Sequence, residues 1–132
     1  MHDFNKFPEL TNSQMQFYYM ESPHRQITEG FVARVDKVTD GDTIRVDWAE
    51  RDFTFPIRFA YINAPEMSEG GLESKEWLKD IIEGKEVYIK INPSNRVGKF
   101  GRIIGEVFQG GISMNEELLR SGRAVRFGSK TW

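Results

Sequence analysis

Period-two alternation of apolar and polar side chains limits the possible folds of this chain more than any other feature. It runs through Phe31–Val38, Thr43–Trp48, Phe53–Tyr61, Glu86–Ile91 and Ile103–Phe108. Successive side chains on a strand point to opposite faces, so each run reads as a strand with one face buried and one in water. Only Thr39 and the short turn Asp40-Gly41-Asp42 separate the first two runs, which closes them into a hairpin. Gly41 is expected to take a left-handed backbone there and to let the two carboxylates crowd together. The third run should end where Pro65 withdraws a ladder donor and keeps Ala64 extended, leaving Asn63 and Glu66 projecting at its end.

Helical spacing appears between and after these runs. Leu72–Glu83 pairs Trp77 with Ile81 and Leu78 with Ile82 one turn apart, is entered through a flexible Ser68-Glu69-Gly70-Gly71, and should stop at Gly84. Ser113 and Glu116 match a capping box opening a helix over Met114–Ser121, which Gly122 ends before a last short strand at Arg123–Phe127. Strands in this order, with a helix after the third and another after the fifth, predict a mainly β, α+β fold: a five-stranded Greek-key barrel of the oligonucleotide-binding type, partly open and antiparallel, with two or three helices. Residues 31–132 form that domain. Residues 1–30 are read as an N-terminal extension packed on the barrel, with a short helix before Pro23 whose run Phe17-Tyr18-Tyr19-Met20 lies against it.

A chain of 132 residues with 39% apolar and 29% charged residues supports one soluble domain with its own core. The absence of cysteine excludes disulfide staples, thiolate metal sites and a cysteine nucleophile. No apolar run is long enough for a membrane span or a signal-peptide core, so a cytoplasmic monomer with no membrane partner is the default expectation. A net charge of -2 argues against a protein that grips nucleic acid with its whole surface. The charge is uneven, however: residues 94–132 carry seven Lys and Arg against three Asp and Glu, and the first 93 residues carry eleven against seventeen. A locally positive cleft can therefore still attract a phosphate. His2 and His24 stand in no recognisable constellation and read as ordinary surface histidines.

The stretch from Asp40 to Glu66 holds what a phosphodiester-cutting site needs. Arg58 and, later, Arg102 present planar forks that suit a phosphate and stay charged at any working pH. Glu66 can orient or deprotonate an attacking water, and Asp42 and Asn63 offer oxygens to a cation, with Asp40 behind them shaping the turn. Each residue alone has a plainer reading. Asp-Gly-Asp closes many hairpins, Arg58 could pair with Glu66 at the barrel end, and Gly101-Arg102 could be a simple turn. The ordered joint occurrence favours chemistry.

Asp40-Gly41-Asp42-Thr43, the run from Arg58 to Glu66, Lys99-Phe100-Gly101-Arg102 and Asn115–Gly122 together resemble the staphylococcal nuclease family, the thermonuclease-like domains, over about residues 31–128. The resemblance implies that family's five-stranded barrel and calcium-dependent hydrolysis of DNA or RNA. It assigns the metal to Asp42, Asn63 and the backbone carbonyl of Ala64, the catalysis to Arg58, Glu66 and Arg102, and substrate contacts to Lys99 and Phe100. This chain departs from the pattern at Asn63, where the family has aspartate. The lost charge implies weaker calcium binding or another divalent metal. Ala64 replaces a threonine that acts through its backbone, and Phe100 stands where the family has a phosphate-contacting tyrosine. Few residues follow Phe127, so the segment around Phe17–Met20 is expected to cover the surface of the family's long C-terminal helix. The rival reading is a catalytically silent oligonucleotide-binding or protein-interaction module that kept the barrel and lost the metal.

Overall fold

Burial along the strands follows the alternation. A computed structural model describes residues 1–127; residues 128–132 of the domain expected over 31–132 lie outside the described residues. The elements are α1 (Asn12–Tyr18), β1 (Phe31–Asp40), β2 (Thr43–Asp47), β3 (Phe55–Phe59), β4 (Ile62–Asn63), α2 (Gly71–Ile82), β5 (Glu86–Lys90), β6 (Ile103–Gln109), β7 (Ile112–Ser113), α3 (Met114–Arg120) and β8 (Val125–Arg126). On β3, Phe55, Ile57 and Phe59 are buried while Arg58 faces outward, as the period-two pattern requires. Val35, Ile44, Val46, Ile89 and Val107 fill the interior with them, and Leu78 and Ile82 of α2 and Leu118 of α3 join the same core.

The strand order β3-β2-β1-β5-β6, with β3 returning to pair with β6, closes the five-stranded barrel, while β7 extends β6 as a two-residue edge. The barrel was expected to be partly open and antiparallel, and at this seam it is closed. β3 and β6 run parallel, with Arg58 opposite Ile104, and beyond them Ala60 N donates to Gly105 O at 2.9 Å. The connection through α2 and β5 brings β6 back in the direction of β3, and twist carries the two edges together. β1 serves both sides of the barrel, and its pairing with β2 shifts register between Val35 and Lys37 and again between Val38 and Asp40. Such bulges bend a long strand, and the second delivers Asp40 to the hairpin end.

The N-terminal residues meet the rest of the chain differently from the expectation that Phe17–Met20 lie on the barrel. Phe17 is 74% exposed and Met20 92% exposed, and α1 buries none of its residues. The contacts come instead from the flanks of α1, where Leu10, Ile27 and Glu9 are buried. Glu9 pairs with Arg51, and its other carboxylate oxygen lies 3.5 Å from Arg96 Nη2 and accepts from Ile27 N at 3.1 Å. Thr11 and Gln14 form a full capping box for α1. At α3 the expected capping box is half made. Ser113 Oγ accepts from Glu116 N at 3.2 Å, but the Glu116 carboxylate turns away to accept from Tyr61 Oη at 2.5 Å. Among the described residues no helix is long and apolar enough to cross a membrane.

Candidate active site

The hairpin between β1 and β2 brings two carboxylates together. Asp42 N donates to Asp40 Oδ1 at 3.3 Å, and burial followed by the neighbouring Asp42 carboxylate pushes Asp40 up to about 6. Gly41 does not have the left-handed backbone expected of it. Its requirement is space, since a Cβ there would stand 2.8 Å from both Ala64 Cβ and Ser74 Cβ. The turn is thus pressed between the end of β4 and the face of α2.

Asp42 is held from three sides. Its Oδ2 accepts from Ala64 N at 2.8 Å, its Oδ1 accepts from Thr43 Oγ1 at 3.2 Å, and Arg58 Nη2 lies 3.5 Å from Oδ2. The same Arg58 nitrogen donates to Asn63 Oδ1 at 2.5 Å, while Nη1 donates to Phe59 O at 3.0 Å. Arg58 therefore joins the hairpin to the strand end, and its side chain is only 16% exposed. The pairing of Ile62 and Asn63 with Arg126 and Val125 fixes that strand end from the other side.

Glu66 follows Pro65 and is exposed. Its carboxylate makes no hydrogen bond or ion pair within the described residues, so water reaches it. The chain enters α2 through a turn over Met67–Glu69, in which Glu66 O accepts from Glu69 N at 2.8 Å and from Gly71 N at 2.9 Å. Gly71 makes this close approach possible, because a Cβ on it would lie 2.4 Å from Pro65 O.

The loop after β5 closes a cavity of about 1,030 Å³ whose wall includes Arg58, Lys99, Arg102, Tyr61, Glu106 and Phe127. The two arginines, far apart in sequence, thus share one space. Arg102 Nε is buried with no hydrogen-bond partner among the described residues, and its guanidinium lies 6.0 Å from the centre of the Phe100 ring. Phe100 itself stands outside the cavity wall, 79% exposed and at a positive φ of 64°. Asp42, Asn63, Ala64 and Glu66 are also outside the wall, and Arg58 is the residue common to both groups. The basic excess of the C-terminal third divides accordingly, apart from Lys130, which lies outside the described residues. Arg96 is buried in a hydrogen-bonded network, Arg120, Arg123 and Arg126 pair with Glu117, Glu73 and Glu116, and Lys99 and Arg102 face the cavity.

Among the described residues no three His, Cys, Asp or Glu side chains come together. The oxygens near the hairpin are nevertheless those a hard divalent cation takes: the carboxylates of Asp40 and Asp42 and the amide oxygen of Asn63. Burial first, and the Asp42 carboxylate second, raise Asp40, and Arg58 lies within ion-pair distance of Asp42 but not of Asp40. These oxygens suit a hard cation in kind, and Arg58 already donates to the Asn63 oxygen among them.

A family model described as Staphylococcal nuclease homologue matches residues 56–131, more than half of the chain. The chain belongs to the staphylococcal nuclease homologue family. Similar proteins include Endonuclease YncB of Bacillus subtilis, 25% identical over 78% of this chain and 52% of that protein. The Probable endonuclease LCL3 of Komagataella phaffii is 34% identical over 59% of this chain and 38% of that protein. The SPbeta prophage-derived endonuclease YokF of Bacillus subtilis is 27% identical over 68% of this chain and 32% of that protein. The chain spans about half, or less, of the length of these relatives.

Within this staphylococcal nuclease homologue, three residues shape the site without having been assigned a role in it from the sequence: Tyr61 and Asn115, which lie inside segments that resemble the family, and Glu106, which lies in none. Tyr61, at a positive φ of 53°, hydrogen-bonds Glu106 at 2.9 Å as well as Glu116, and burial followed by these carboxylates raises it far above an ordinary tyrosine. Glu106 also accepts from Ser113 Oγ at 2.6 Å. Asn115, fully buried, accepts from Val107 N at 3.0 Å and donates to Ala60 O at 2.8 Å, which ties α3 to the end of β3. An asparagine at the second position of a helix that already carries a cap was the available signal.

Proposed function

We propose that this chain is a calcium-dependent nuclease that hydrolyses phosphodiester bonds of DNA or RNA. The observation that carries the reading is Arg58, which lines the cavity it shares with Arg102 and reaches Asp42 and Asn63 with the same guanidinium. Two charged forks around one space suit the equatorial oxygens of a phosphodiester, where charge builds in the transition state. The exposed Glu66 carboxylate takes the proton of a water whose oxygen forms the new bond to phosphorus. The bond to the leaving sugar oxygen then breaks, that oxygen takes a proton from solvent water, and the exposed Glu66 gives its proton back to solvent. Lys99 adds positive charge at the cavity mouth, and Phe100 offers an exposed ring to the strand. Asp42, Asn63 and Ala64, backed by Asp40, would hold the cation, which supplies charge neutralisation at the phosphate and a polarised water when bound.

A specific observation also favours the silent module: Asn63 is neutral, and its oxygen is already engaged by Arg58. Plasmid cleavage at millimolar calcium, repeated with chelator and with Glu66→Gln, decides between the two. The nuclease reading expects cutting by wild type alone and only with calcium. A wild-type protein that binds oligonucleotides and never cuts them supports the module.

A further inference from the structure

The loop that carries Lys99 and Arg102 is gripped from outside the cavity by residues the proposed chemistry leaves unused. Arg96, in the middle of that loop, is 3% exposed and points into the N-terminal segment. Its Nε donates to Ile27 O at 2.7 Å, and its Nη1 donates to Leu10 O at 3.1 Å and Asn12 Oδ1 at 2.9 Å. Glu9 lies 3.5 Å from Nη2 and pairs with Arg51 of the barrel as well. Two further contacts bracket the loop. Asn12 Nδ2 donates to Pro93 O at 3.0 Å at its start, and Phe7 packs on Gly101 at its end, where a Cβ would come within 3.0 Å of the ring.

We propose that residues 7–12 and 27 act as a strap that sets the position of Arg102, with Arg96 as the positioning residue through which the strap acts. The transmission is short. Ile104 N donates to Arg96 O at 2.9 Å, Val97 bridges Ile103, and Gly98 N donates to Arg102 O at 2.8 Å, so the loop is zipped onto the start of β6 from Arg96 to Arg102. Beyond those rungs the tip has no core of its own, since Lys99 and Phe100 are exposed. Val97 packs partly buried on the core and Phe7 on Gly101, but the exposed tip between them has little apolar burial, so the polar contacts of Arg96 and Asn12 add to what holds it in place. Arg96 makes those contacts with its fork turned away from the cavity, so it meets no substrate.

This inference rests on the reading that Arg58 and Arg102 receive a phosphate, and its test separates the two. The full chain binds a labelled single-stranded deoxyoligonucleotide in chelator, followed by fluorescence anisotropy. A double-mutant cycle pairs Arg96→Met, and separately Asn12→Ala, with Arg102→Ala. If Arg96 acts through Arg102, Arg96→Met weakens binding roughly tenfold and Asn12→Ala roughly threefold in the Arg102 background, and neither has a further effect once Arg102 is alanine. Equal losses in both backgrounds, or unchanged binding by a folded Arg96→Met protein, overturn the strap. Should Arg96→Met fail to fold, the Asn12→Ala cycle decides alone, and unchanged binding there overturns it. A wild-type protein that binds but does not cut removes the catalysis and leaves the strap standing. One that does neither removes both.

Discussion

Arg58 Nη2 donates to Asn63 Oδ1 at 2.5 Å while lying 3.5 Å from Asp42 Oδ2, so one cation serves a carboxylate and an amide at the same point. Replacing Asn63 by aspartate sets two carboxylates against that one cation beside the already crowded Asp40. The added charge favours a divalent ion, and Asn63→Asp should tighten calcium binding by roughly tenfold, following the dependence of hard-cation affinity on ligand charge. Isothermal calorimetry reads this directly. An unchanged or weaker dissociation constant removes Asn63 from the metal site.

The shape of the arginine fork matters as well as its charge. Arg58→Lys and Arg102→Lys keep a cation in the cavity but lose two-point contact with phosphate oxygens, and each should slow single-turnover cutting by about a hundredfold, the size of one lost transition-state donor. Arg58→Lys also releases Asn63 and should alter calcium affinity, whereas Arg102→Lys should not. Cutting rates within twofold of wild type for either variant contradict the shared-phosphate reading.

Much of the barrel was legible because burial on a strand follows a local period. The alternation around Ile57 and Phe59 is enough by itself to turn Arg58 outward, and Gly84 and Gly122, both at positive φ, end their helices as expected. Features that depend on residues distant in the chain were not legible. Gly41 needs room because Ser74 of α2 presses on the turn, a contact between residues more than thirty positions apart. Arg96 looked like one more cation of a basic C-terminal third, and only the fold reveals the carboxylate and carbonyls that bury it. The aromatic run at Phe17–Met20 suggested burial by composition, but a two-turn helix is held well enough by its flanks to leave Phe17, Tyr19 and Met20 in water, with Tyr18 half-buried beside His2.

The packing at the hairpin makes its own prediction. Gly41→Ala inserts a methyl 2.8 Å from Ala64 Cβ and Ser74 Cβ, and neither neighbour is a flexible side chain that can swing aside. Overpacking of this kind costs about 1–3 kcal/mol, which should lower Tm by several degrees and displace Asp42 from Ala64 N. Full retention of Tm would mean the turn can move freely against α2.

Asp40 gives a pH dependence whose sign follows from its raised value of about 6. The folded chain holds a proton there that the unfolded chain has already released near its ordinary value of 3.8, so stability falls as pH rises from about 4 to about 6. In chelator, Asp40→Asn should therefore be more stable than wild type at pH 8, on the order of 1 kcal/mol once solvent screening is allowed for, with no advantage below pH 4. Calcium should reverse the order at pH 8 by binding the wild-type carboxylates. Urea midpoints at the two pH values check both statements, and a variant less stable than wild type at pH 8 in chelator contradicts them.

Glu9 is the single anion of a buried triad. Its carboxylate is 3% exposed, it faces Arg51 with a fully buried side chain, and it shares its second oxygen between Arg96 and Ile27 N. Glu9→Gln keeps the shape and one acceptor but strands two guanidinium groups in a space they entered only with a counter-charge. Breaking a buried pair from one side costs on the order of 3–5 kcal/mol, because the remaining charge has neither water nor partner. The rings of Trp48, Phe53 and Phe55 around Arg51, at 5.5, 5.5 and 4.5 Å, soften this cost without removing it. The urea midpoint of Glu9→Gln should fall sharply at an unchanged slope, the mark of lost stability in an intact two-state fold. A midpoint equal to wild type would mean that the N-terminal segment is held without the Glu9 ion pairs, by Leu10 and Ile27 and by the hydrogen bonds of Arg96 and Asn12.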